Sequence, residues 1–173
     1  MSDILKLLEV HDGAKWRTSI FWRLWCNGSA ETAGCYKKTD GPYQNRFDLP
    51  GGQSEAGETL EQTLTREIKE ETGLLTKEIQ QLGVTSFHYH WHYQGFEENQ
   101  HVTVFYHVLQ FQGDIQAKVP DFDGQDAAGA LFVDLDDITE ANASPLVLKA
   151  KQYLTTGYFD VTATRFTQWH VLD

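Results

Sequence analysis

Three glutamates lie close together in a segment that contains neither glycine nor proline. Glu67, Glu70 and Glu71 fall within residues 59–72. An uninterrupted segment of this kind, followed here by Gly73, predicts a helix that ends at the glycine. Carboxylates one turn apart could hold Mg²⁺ or Mn²⁺, hard ions that prefer oxygen ligands and share their coordination with substrate phosphates. The residues therefore suggest a metal site that takes a phosphate-bearing substrate.

The predicted helix has one narrow apolar stripe. On a wheel of about 100° per residue, Leu60, Leu64 and Ile68 fall on one side, which must be the buried side. The three glutamates border this stripe, whereas a Glu-rich helix usually turns its acids toward water. Half-buried acids one turn apart repel one another and raise each other's pKa, a cost that a cation between them removes. The pattern favours metal ligation over a solvated charged face.

The spacing around the glutamates matches a known motif at each fixed position. The Nudix box reads Gly, five residues, Glu, seven residues, Arg-Glu, an aliphatic residue, any residue, Glu-Glu, any residue, Gly and an aliphatic residue. This chain supplies Gly52, Glu58, Arg66, Glu67, Ile68, Glu70, Glu71, Gly73 and Leu74. The preceding Phe47-Asp48-Leu49-Pro50-Gly51 and the later residues 125–126 and 131–138 are also similar to family segments. The chain thus resembles the Nudix (MutT-like) hydrolases, strongly in the box and weakly after it.

The resemblance implies a fold, a reaction and a metal. Nudix proteins are α/β/α sandwiches around a mixed β-sheet, and they catalyse attack by water on the diphosphate linkage of a nucleoside diphosphate joined to another group. A nucleotide, ADP-ribose or a nucleotide sugar would be the substrate. Glu67, Glu70 and Glu71 would bind Mg²⁺ or Mn²⁺, with the backbone carbonyl of Gly51 as a further ligand. Homodimers are common among relatives, but nothing in the sequence demonstrates one.

The resemblance also assigns supporting roles and leaves the general base open. Arg66 and Glu58 would form an orienting pair, with Gly52 in the loop that folds back over the site. The base is either Glu67 or an acid of the later loop, for which Asp126 is the matching candidate. Asp121 and Asp123 lie near enough in sequence to compete with Asp126. An ordinary turn role is an equally good interpretation of Asp126, because Asp often initiates turns.

The elements that must position these residues alternate along the chain. The sequence predicts a helix that runs from Pro145 to about Leu154, with Ser144 as its N-cap, and a tail from residue 157 that could form a strand pair. Composition and turn signals predict strands at residues 16–26, 32–38, 84–93, 101–111 and 131–133, with a long loop over 94–100. This order predicts a single layered α/β domain over residues 1–173.

Composition narrows the classes of function. A formal charge of −11 disfavours nucleic acid and anionic membranes as partners, and it means that an anionic substrate needs a bound cation where it docks. No apolar run is long enough to span a membrane, which predicts a soluble, cytoplasmic protein. Cys26 and Cys35 lack companions at metal-binding spacing and are interpreted as reduced packing residues.

Two further groups could bind ligands. Ser86, His88, His90 and His92 alternate with aromatic residues, so a strand places the imidazoles on one face. They could bind zinc, but alternate strand residues are widely spaced, and a polar sheet face or part of the substrate pocket is favoured. The aromatic face, with Trp16, Phe21, Trp22 and Trp25, is assigned mostly to the core. Lys37 and Lys38 could meet a phosphate, although a solvated strand end is the favoured interpretation.

Three classes of function are compatible with the resemblance. A metal-dependent pyrophosphohydrolase explains the intact acids and is favoured. A non-catalytic nucleotide-binding or regulatory module is the alternative, but such relatives usually lose box carboxylates and none is missing here. An isomerase of isoprenoid diphosphates uses a similar fold, but the sequence has no convincing second arrangement of catalytic Cys and Glu.

Overall fold

Two β-sheets and two α-helices make up the described part of the chain. The computed structural model describes residues 15–24, 32–93, 96–115 and 127–172. The strands are β1 (Lys15–Leu24), β2 (Thr32–Lys38), β3 (Phe47–Asp48), β4 (Leu75–Tyr93), β5 (Phe96–Gln112), β6 (Ala127–Asp134) and β7 (Thr164–Arg165). The helices are α1 (Leu60–Thr72) and α2 (Pro145–Thr156). None of the helices in these ranges is long and apolar enough to cross a membrane.

Parallel and antiparallel pairings are mixed in the larger sheet. Its order is β1-β5-β4-β7, with β1 parallel to β5, β4 antiparallel to β5 and β7 parallel to β4. The smaller sheet has the order β3-β2-β6, and both of its pairings are antiparallel. The prediction of a mixed sheet is confirmed.

Alternate residues of β5 enter two different cores, because successive strand side chains point to opposite faces. One core joins Val104, Tyr106 and Val108 to Leu64 and Ile68 of α1. The other core, on the opposite face, joins Phe105 of β5 to residues of α2. The sheet therefore lies between the two helices, which confirms the predicted layered α/β order.

Both ends of α1 are fixed by local hydrogen bonds. Thr59 and Gln62 form a reciprocal capping box at the N-terminus. Gly73 ends the helix in the left-handed conformation, with φ of 79°, which costs glycine little because it has no Cβ. The predicted helix and its glycine cap are confirmed. The helix that presents the glutamates is thus defined by sequence-local signals.

The second helix also begins as predicted. The Ser144 hydroxyl accepts a hydrogen bond from the Val147 amide at 3.3 Å, and Pro145 occupies the first turn. The helix extends to Thr156, two residues beyond the predicted end, and Gly157 caps it.

The central hairpin is longer than the sequence predicted. Strand β4 begins at Leu75 rather than Val84, and pairing with β5 continues to Tyr93 and Phe96. The expected long loop over 94–100 was wrong, since residues 96–100 belong to β5. Register shifts occur on both sides of Glu78 and between Gln81 and Gly83. These bulges interrupt the period-2 alternation that identifies a strand in sequence.

The C-terminal tail, which the sequence left ambiguous and for which a strand pair was one possibility, forms one short strand in the described residues. A single two-residue strand, β7, adds to β4 beside Phe87 and His88. Phe166 and Trp169 of the tail pack against the core that contains α2. Cys35 is buried and free as expected, whereas Cys26 and the side chains of Trp16, Phe21, Trp22 and Trp25 lie outside what the structure describes.

Candidate active site

Arg66 of α1 is the centre of a dense network of ion pairs. Its Nε donates to Oε1 of Glu58 at 2.8 Å, and its Nη2 donates to Oε2 of Glu58 at 3.0 Å. Nη1 donates to Glu67 at 2.8 Å and to Glu70 at 3.1 Å. Nη2 also donates to the backbone carbonyl of Gln53 at 3.1 Å. The guanidinium thus ties the helix to the preceding loop, and the predicted pairing of Arg66 with Glu58 is present.

Glu71 connects the same loop to the helix from the buried side. The carboxylate is only 6% exposed, and its Oε2 accepts a hydrogen bond from the Gly51 amide at 2.7 Å. Burial is the main cause that raises the pKa of Glu71 well above its ordinary value, and the charge of Glu67 adds to the effect. Burial thus disfavours the ionised form of this carboxyl, and a nearby positive charge favours it.

Gly52 lies directly against Glu67. A Cβ added at Gly52 would overlap the Glu67 carboxylate, so a larger residue would push that side chain out of position. Glu67 is half-buried, and burial raises its pKa in spite of the opposing effect of Arg66. The close approach of backbone predicted for this glycine-rich loop is therefore observed at Gly52.

Arg66 lowers the pKa of Glu58, the acid just before α1, whereas burial raises the pKa of Glu67 and Glu71. Its hydrogen bonds lower the pKa of Glu58 to about 2, and further bonds come from the Glu55 amide and the Thr63 hydroxyl. Glu58 raises the pKa of Arg66 in turn. The Arg66–Glu58 pair is therefore charged at neutral pH. Burial, in contrast, disfavours the ionised forms of Glu67 and Glu71.

A second wall of the site comes from the smaller sheet. Tyr36 of β2 pairs in register with Asp48 of β3, so both side chains lie on the same face of that sheet. Tyr36 is 1% exposed, and its pKa is raised by burial and by the charges of Glu71, Asp48 and Glu67. Acids of both α1 and β3 thus act electrostatically on the Tyr36 hydroxyl.

Asp48 is itself a buried acid with two donors. Its Oδ1 accepts from the Ser144 hydroxyl at 2.6 Å and from the Leu49 amide at 3.0 Å. Burial raises its pKa to about 6, and Lys38 and the two hydrogen bonds oppose the rise. Sequence reasoning missed Asp48 and Tyr36 as site residues. The alternation along β2 and the acid just before Leu49-Pro50-Gly51 were the available signals.

Hard oxygen donors are concentrated where the motif predicts a cation. Glu67, Glu70 and Glu71 supply carboxylate oxygens. Burial raises the pKa of Glu67 and of Glu71. Among the residues that the structure describes, no three His, Cys, Asp or Glu side chains already form a metal-binding group. Arg66 and the Gly51 amide hold these carboxylates instead. The donor set fits Mg²⁺ or Mn²⁺ by its chemistry.

The predicted residues of the box meet in one place. The structure brings together Gly51, Gly52, Glu58, Arg66, Glu67, Glu70 and Glu71. Asp126, Asp121 and Asp123 lie outside the described residues.

The histidines of β4 contact a carboxylate of the neighbouring strand β5. His88 Nε2 lies 3.1 Å from Glu98 Oε2, and His90 Nδ1 lies 2.8 Å from Glu98 Oε1. The alternating Phe87 and Tyr89 are buried. The favoured polar sheet face is therefore confirmed for His88 and His90, while the side chain of His92 is not described.

Comparison with known proteins gives one family. A family model described as NUDIX domain matches residues 33–154. The ADP-ribose pyrophosphatase of Methanocaldococcus jannaschii is 32% identical over 137 residues, which cover 77% of this chain and 74% of that protein. The match to the family model begins in β2 and ends in α2. It therefore includes the whole motif and the strands β2 and β3.

Solved structures share the fold at low sequence identity. A MutT NUDIX hydrolase from Burkholderia pseudomallei has a TM-score of 0.62 at 22% identity, over 80% of this chain and 97% of that chain. A mutator MutT protein from Bacillus halodurans has a TM-score of 0.60 at 17% identity, over 91% and 95% of the two chains. These likenesses confirm the predicted Nudix-type fold.

Proposed function

Since this chain belongs to the NUDIX family and is a pyrophosphohydrolase of that family, we propose that it hydrolyses a nucleoside diphosphate linked to another moiety in a reaction that depends on a divalent cation. Water attacks phosphorus and breaks the diphosphate linkage. The observation that carries the proposal is the gathering of Glu67, Glu70 and Glu71 beside Gly51 and Gly52.

The proposed ligands of the cation are the three box glutamates and the backbone carbonyl of Gly51. Glu67 and Glu70 each give one carboxylate oxygen to Arg66, so the other oxygen of each can bind an ion while that bond is kept. A bound Mg²⁺ or Mn²⁺ supplies charge neutralisation on phosphate oxygens and lowers the pKa of a coordinated water. The positive charge also favours the ionised form of Glu67 and Glu71, whose burial now opposes ionisation.

Arg66 is proposed as a positioning residue rather than a proton carrier. Its bonds to both oxygens of Glu58 and to the Gln53 carbonyl fix the loop against the helix. A guanidinium stays charged throughout the accessible pH range, so it cannot accept the proton of the attacking water. That role falls to Glu67 or Asp126, and the substitutions Glu67→Gln and Asp126→Asn distinguish them by which one removes the acidic limb of the pH–rate profile.

ADP-ribose is the proposed first substrate. A relative that is 32% identical over 77% of this chain is named ADP-ribose pyrophosphatase. A diphosphate between two ribose-bearing groups presents the linkage that the proposed reaction breaks. Nucleoside triphosphates, dinucleoside polyphosphates and sugar nucleotides belong in the same screen, because the residues that would recognise the rest of the substrate lie outside the box.

The role of the box glutamates as metal ligands can be tested by substitution. Glu70→Gln should lower turnover by at least about a hundredfold in the presence of Mg²⁺, as expected for loss of a ligand that stabilises transition-state charge. Glu61→Gln is the matched control, because Glu61 lies on the same helix and is exposed. It should keep turnover within about twofold of wild type, since the Glu61 carboxylate is bonded to the Tyr106 hydroxyl and not to Gly51 or Arg66.

Both variants are assayed for turnover with Mg²⁺, with Mn²⁺ and with excess chelator, after their melting temperatures are compared with that of wild type. Undiminished, metal-dependent turnover by Glu70→Gln would refute its role. A wild-type protein that binds these nucleotides but hydrolyses none would favour the non-catalytic binding module.

A further inference from the structure

Strand β3 is only two residues long, and backbone hydrogen bonds hold it on both edges. One edge pairs with β2. On the other edge the Phe47 amide donates to the Asn142 carbonyl at 2.7 Å, and the Ser144 amide donates to the Phe47 carbonyl at 2.8 Å. Residues 142–144 lead directly into α2. The backbone therefore joins the start of α2 to the strand that leads into the site.

The Asp48 side chain adds a second connection between α2 and β3. Its Oδ1 accepts from the Ser144 hydroxyl at 2.6 Å and from the Leu49 amide at 3.0 Å. The same hydroxyl accepts from the Val147 amide as the N-cap of α2. Both Asp48 and Ser144 are buried, so water competes little for this hydrogen bond. One hydroxyl group thus connects the first turn of the helix to the strand.

The chain between Asp48 and the metal-binding motif is short and stiff. Leu49 and Pro50 separate Asp48 from Gly51, and both are buried. Leu49 belongs to the core that contains α2, and the ring of Pro50 fixes its φ. The Gly51 amide then donates to Oε2 of Glu71 at 2.7 Å. A displacement of Asp48 is therefore passed on to Gly51 and to the contact that Gly51 makes with Glu71.

A buried carboxyl is a poor choice for stability alone. Its removal from water costs free energy, and an apolar residue of similar size fills the same space without that cost. What the carboxyl adds is direction, because its oxygen must lie within bonding distance of donors on Ser144 and Leu49. The side chain of Asp48 thus fixes the point from which the loop starts.

We propose that Asp48 is a positioning residue of the reaction, which holds Gly51 in place against the box glutamates through its bond to Ser144. This inference rests on the proposed function, in which the Gly51 carbonyl is a ligand of the cation. Loss of the bonds to Asp48 lets residues 49–51 shift and so weakens the binding of the cation. Asp48 acts through Gly51 and Glu71, and it contacts neither the cation nor the substrate.

Two substitutions of Asp48 separate its hydrogen bonds from its charge. Asp48→Asn removes the charge but keeps an oxygen that accepts from Ser144 and Leu49, whereas Asp48→Ala removes both. Binding of Mn²⁺ alone, without nucleotide, is measured from the electron paramagnetic resonance signal of the free ion. Asp48→Ala should raise the Kd of Mn²⁺ at least about fivefold, and Asp48→Asn should recover most of the lost affinity.

A second pair of variants separates the Ser144 bond from the stability of α2. Ser144→Ala removes the hydroxyl at the start of the helix. Gly157→Ala is the matched control at its other end, where φ is 71° and an added Cβ would meet no described residue within 4 Å, its chain neighbours apart. Both changes weaken α2, but only Ser144→Ala breaks the bond to Asp48. Ser144→Ala should raise the Kd of Mn²⁺ at least about threefold, and Gly157→Ala less than about twofold.

The combined variant tests whether the two residues act through one bond. Asp48→Ala with Ser144→Ala should bind Mn²⁺ no more weakly than Asp48→Ala alone, because the bond is already lost in the single variant. Melting temperatures verify that each variant is folded. If Asp48→Ala does not fold, the comparison of Ser144→Ala with Gly157→Ala decides the question.

The inference fails if Asp48→Ala binds Mn²⁺ as tightly as wild type. It also fails if Asp48→Asn binds Mn²⁺ as weakly as Asp48→Ala, since charge rather than hydrogen bonding would then be responsible. Equal effects of Ser144→Ala and Gly157→Ala would assign the loss to the stability of α2 instead. In contrast, a wild type that hydrolyses none of the screened substrates would overturn the proposed function, and the inference with it.

Discussion

At the scale of single residues, burial acts against charge on the acids around α1. Glu71 and Asp48 are 6% and 2% exposed, and burial raises the pKa of each. Glu58, bonded to Arg66 and to the Glu55 amide, has its pKa lowered to about 2. The site thus combines a charged Arg66–Glu58 pair with buried acids whose pKa is raised. This difference suits an inner group of acids that becomes charged when a cation arrives.

Asp48 allows this description to be tested without metal. Its pKa of about 6 lies above the ordinary value of 3.8, so between these values the folded protein holds a proton that the unfolded chain has lost. The carboxyl's contribution to the unfolding free energy therefore falls as pH rises from about 4 to 6 and is constant above. Asp48→Asn removes this effect and keeps an oxygen that accepts from Ser144 and Leu49.

The unfolding free energies of wild type and Asp48→Asn are measured by urea denaturation at pH 4 and pH 7, with chelator present. The variant should gain about 2 kcal/mol relative to wild type over this range, from roughly 1.4 kcal/mol per pKa unit. An equal difference between the two proteins at both pH values would contradict the raised pKa.

The sequence identified the residues of the site that are close along the chain. The helix acids, Arg66, Glu58 and the glycines lie within one motif, whose spacing follows from helix geometry. Tyr36 and Asp48 come from strands whose pairing is not encoded locally. Tyr36 and Asp48 share a face only in the register that pairs them, because a shift of one residue exchanges the two faces of a strand.

At the scale of elements, the C-terminal tail contacts the turn that leads into the site through a hydrogen bond and a cation–π contact. Trp169 Nε1 donates to the Pro42 carbonyl at 2.7 Å, and the Arg46 guanidinium lies 4.8 Å from the Trp169 ring centre. Arg46 Nη2 also donates to the His170 carbonyl at 3.1 Å. Residues 41–46 lead directly into β3 and then to Gly51. The tail lies beyond residue 154, where the NUDIX match ends.

Trp169→Ala should therefore destabilise the protein by about 2 to 3 kcal/mol, somewhat less than for a fully buried tryptophan because Trp169 is only partly buried. The control is Tyr158→Ala, which removes an aromatic ring of the same tail that is 68% exposed. Urea denaturation of both variants gives the comparison. An equal and small loss of unfolding free energy in the two variants would show that the tail does not fasten this turn.

Elements were predictable where local chemistry marks their ends. Both helices begin at a hydroxyl cap and end at a left-handed glycine, and these signals are readable in sequence. The hairpin of β4 and β5 was underestimated because its bulges disrupt the alternation and because polar pairs extend it. Gln100 faces His88 and Glu98 faces His90 in that extension. Polar residues resemble a loop in sequence, yet here they satisfy one another across the strands.

At the scale of the whole molecule, the charge balance opposes the proposed substrate. The chain carries a formal charge of −11, and a diphosphate brings further negative charge to a site bordered by carboxyl groups. Arg66 is bonded to Glu58, Glu67 and Glu70. A divalent cation reverses the local charge and so permits an acidic protein to hold an anionic substrate. The proposed activity therefore depends on the box glutamates binding metal.

The most direct test is the anomalous scattering from crystals of the protein soaked in Mn²⁺. The expected result is a strong anomalous peak in contact with the carboxylates of Glu67, Glu70 and Glu71, at oxygen distances of about 2.2 Å. The Glu71 carboxylate would then have left the Gly51 amide, or would share one oxygen with it. A peak elsewhere, with none in contact with these three carboxylates, would contradict the assignment of Glu67, Glu70 and Glu71 as the metal ligands.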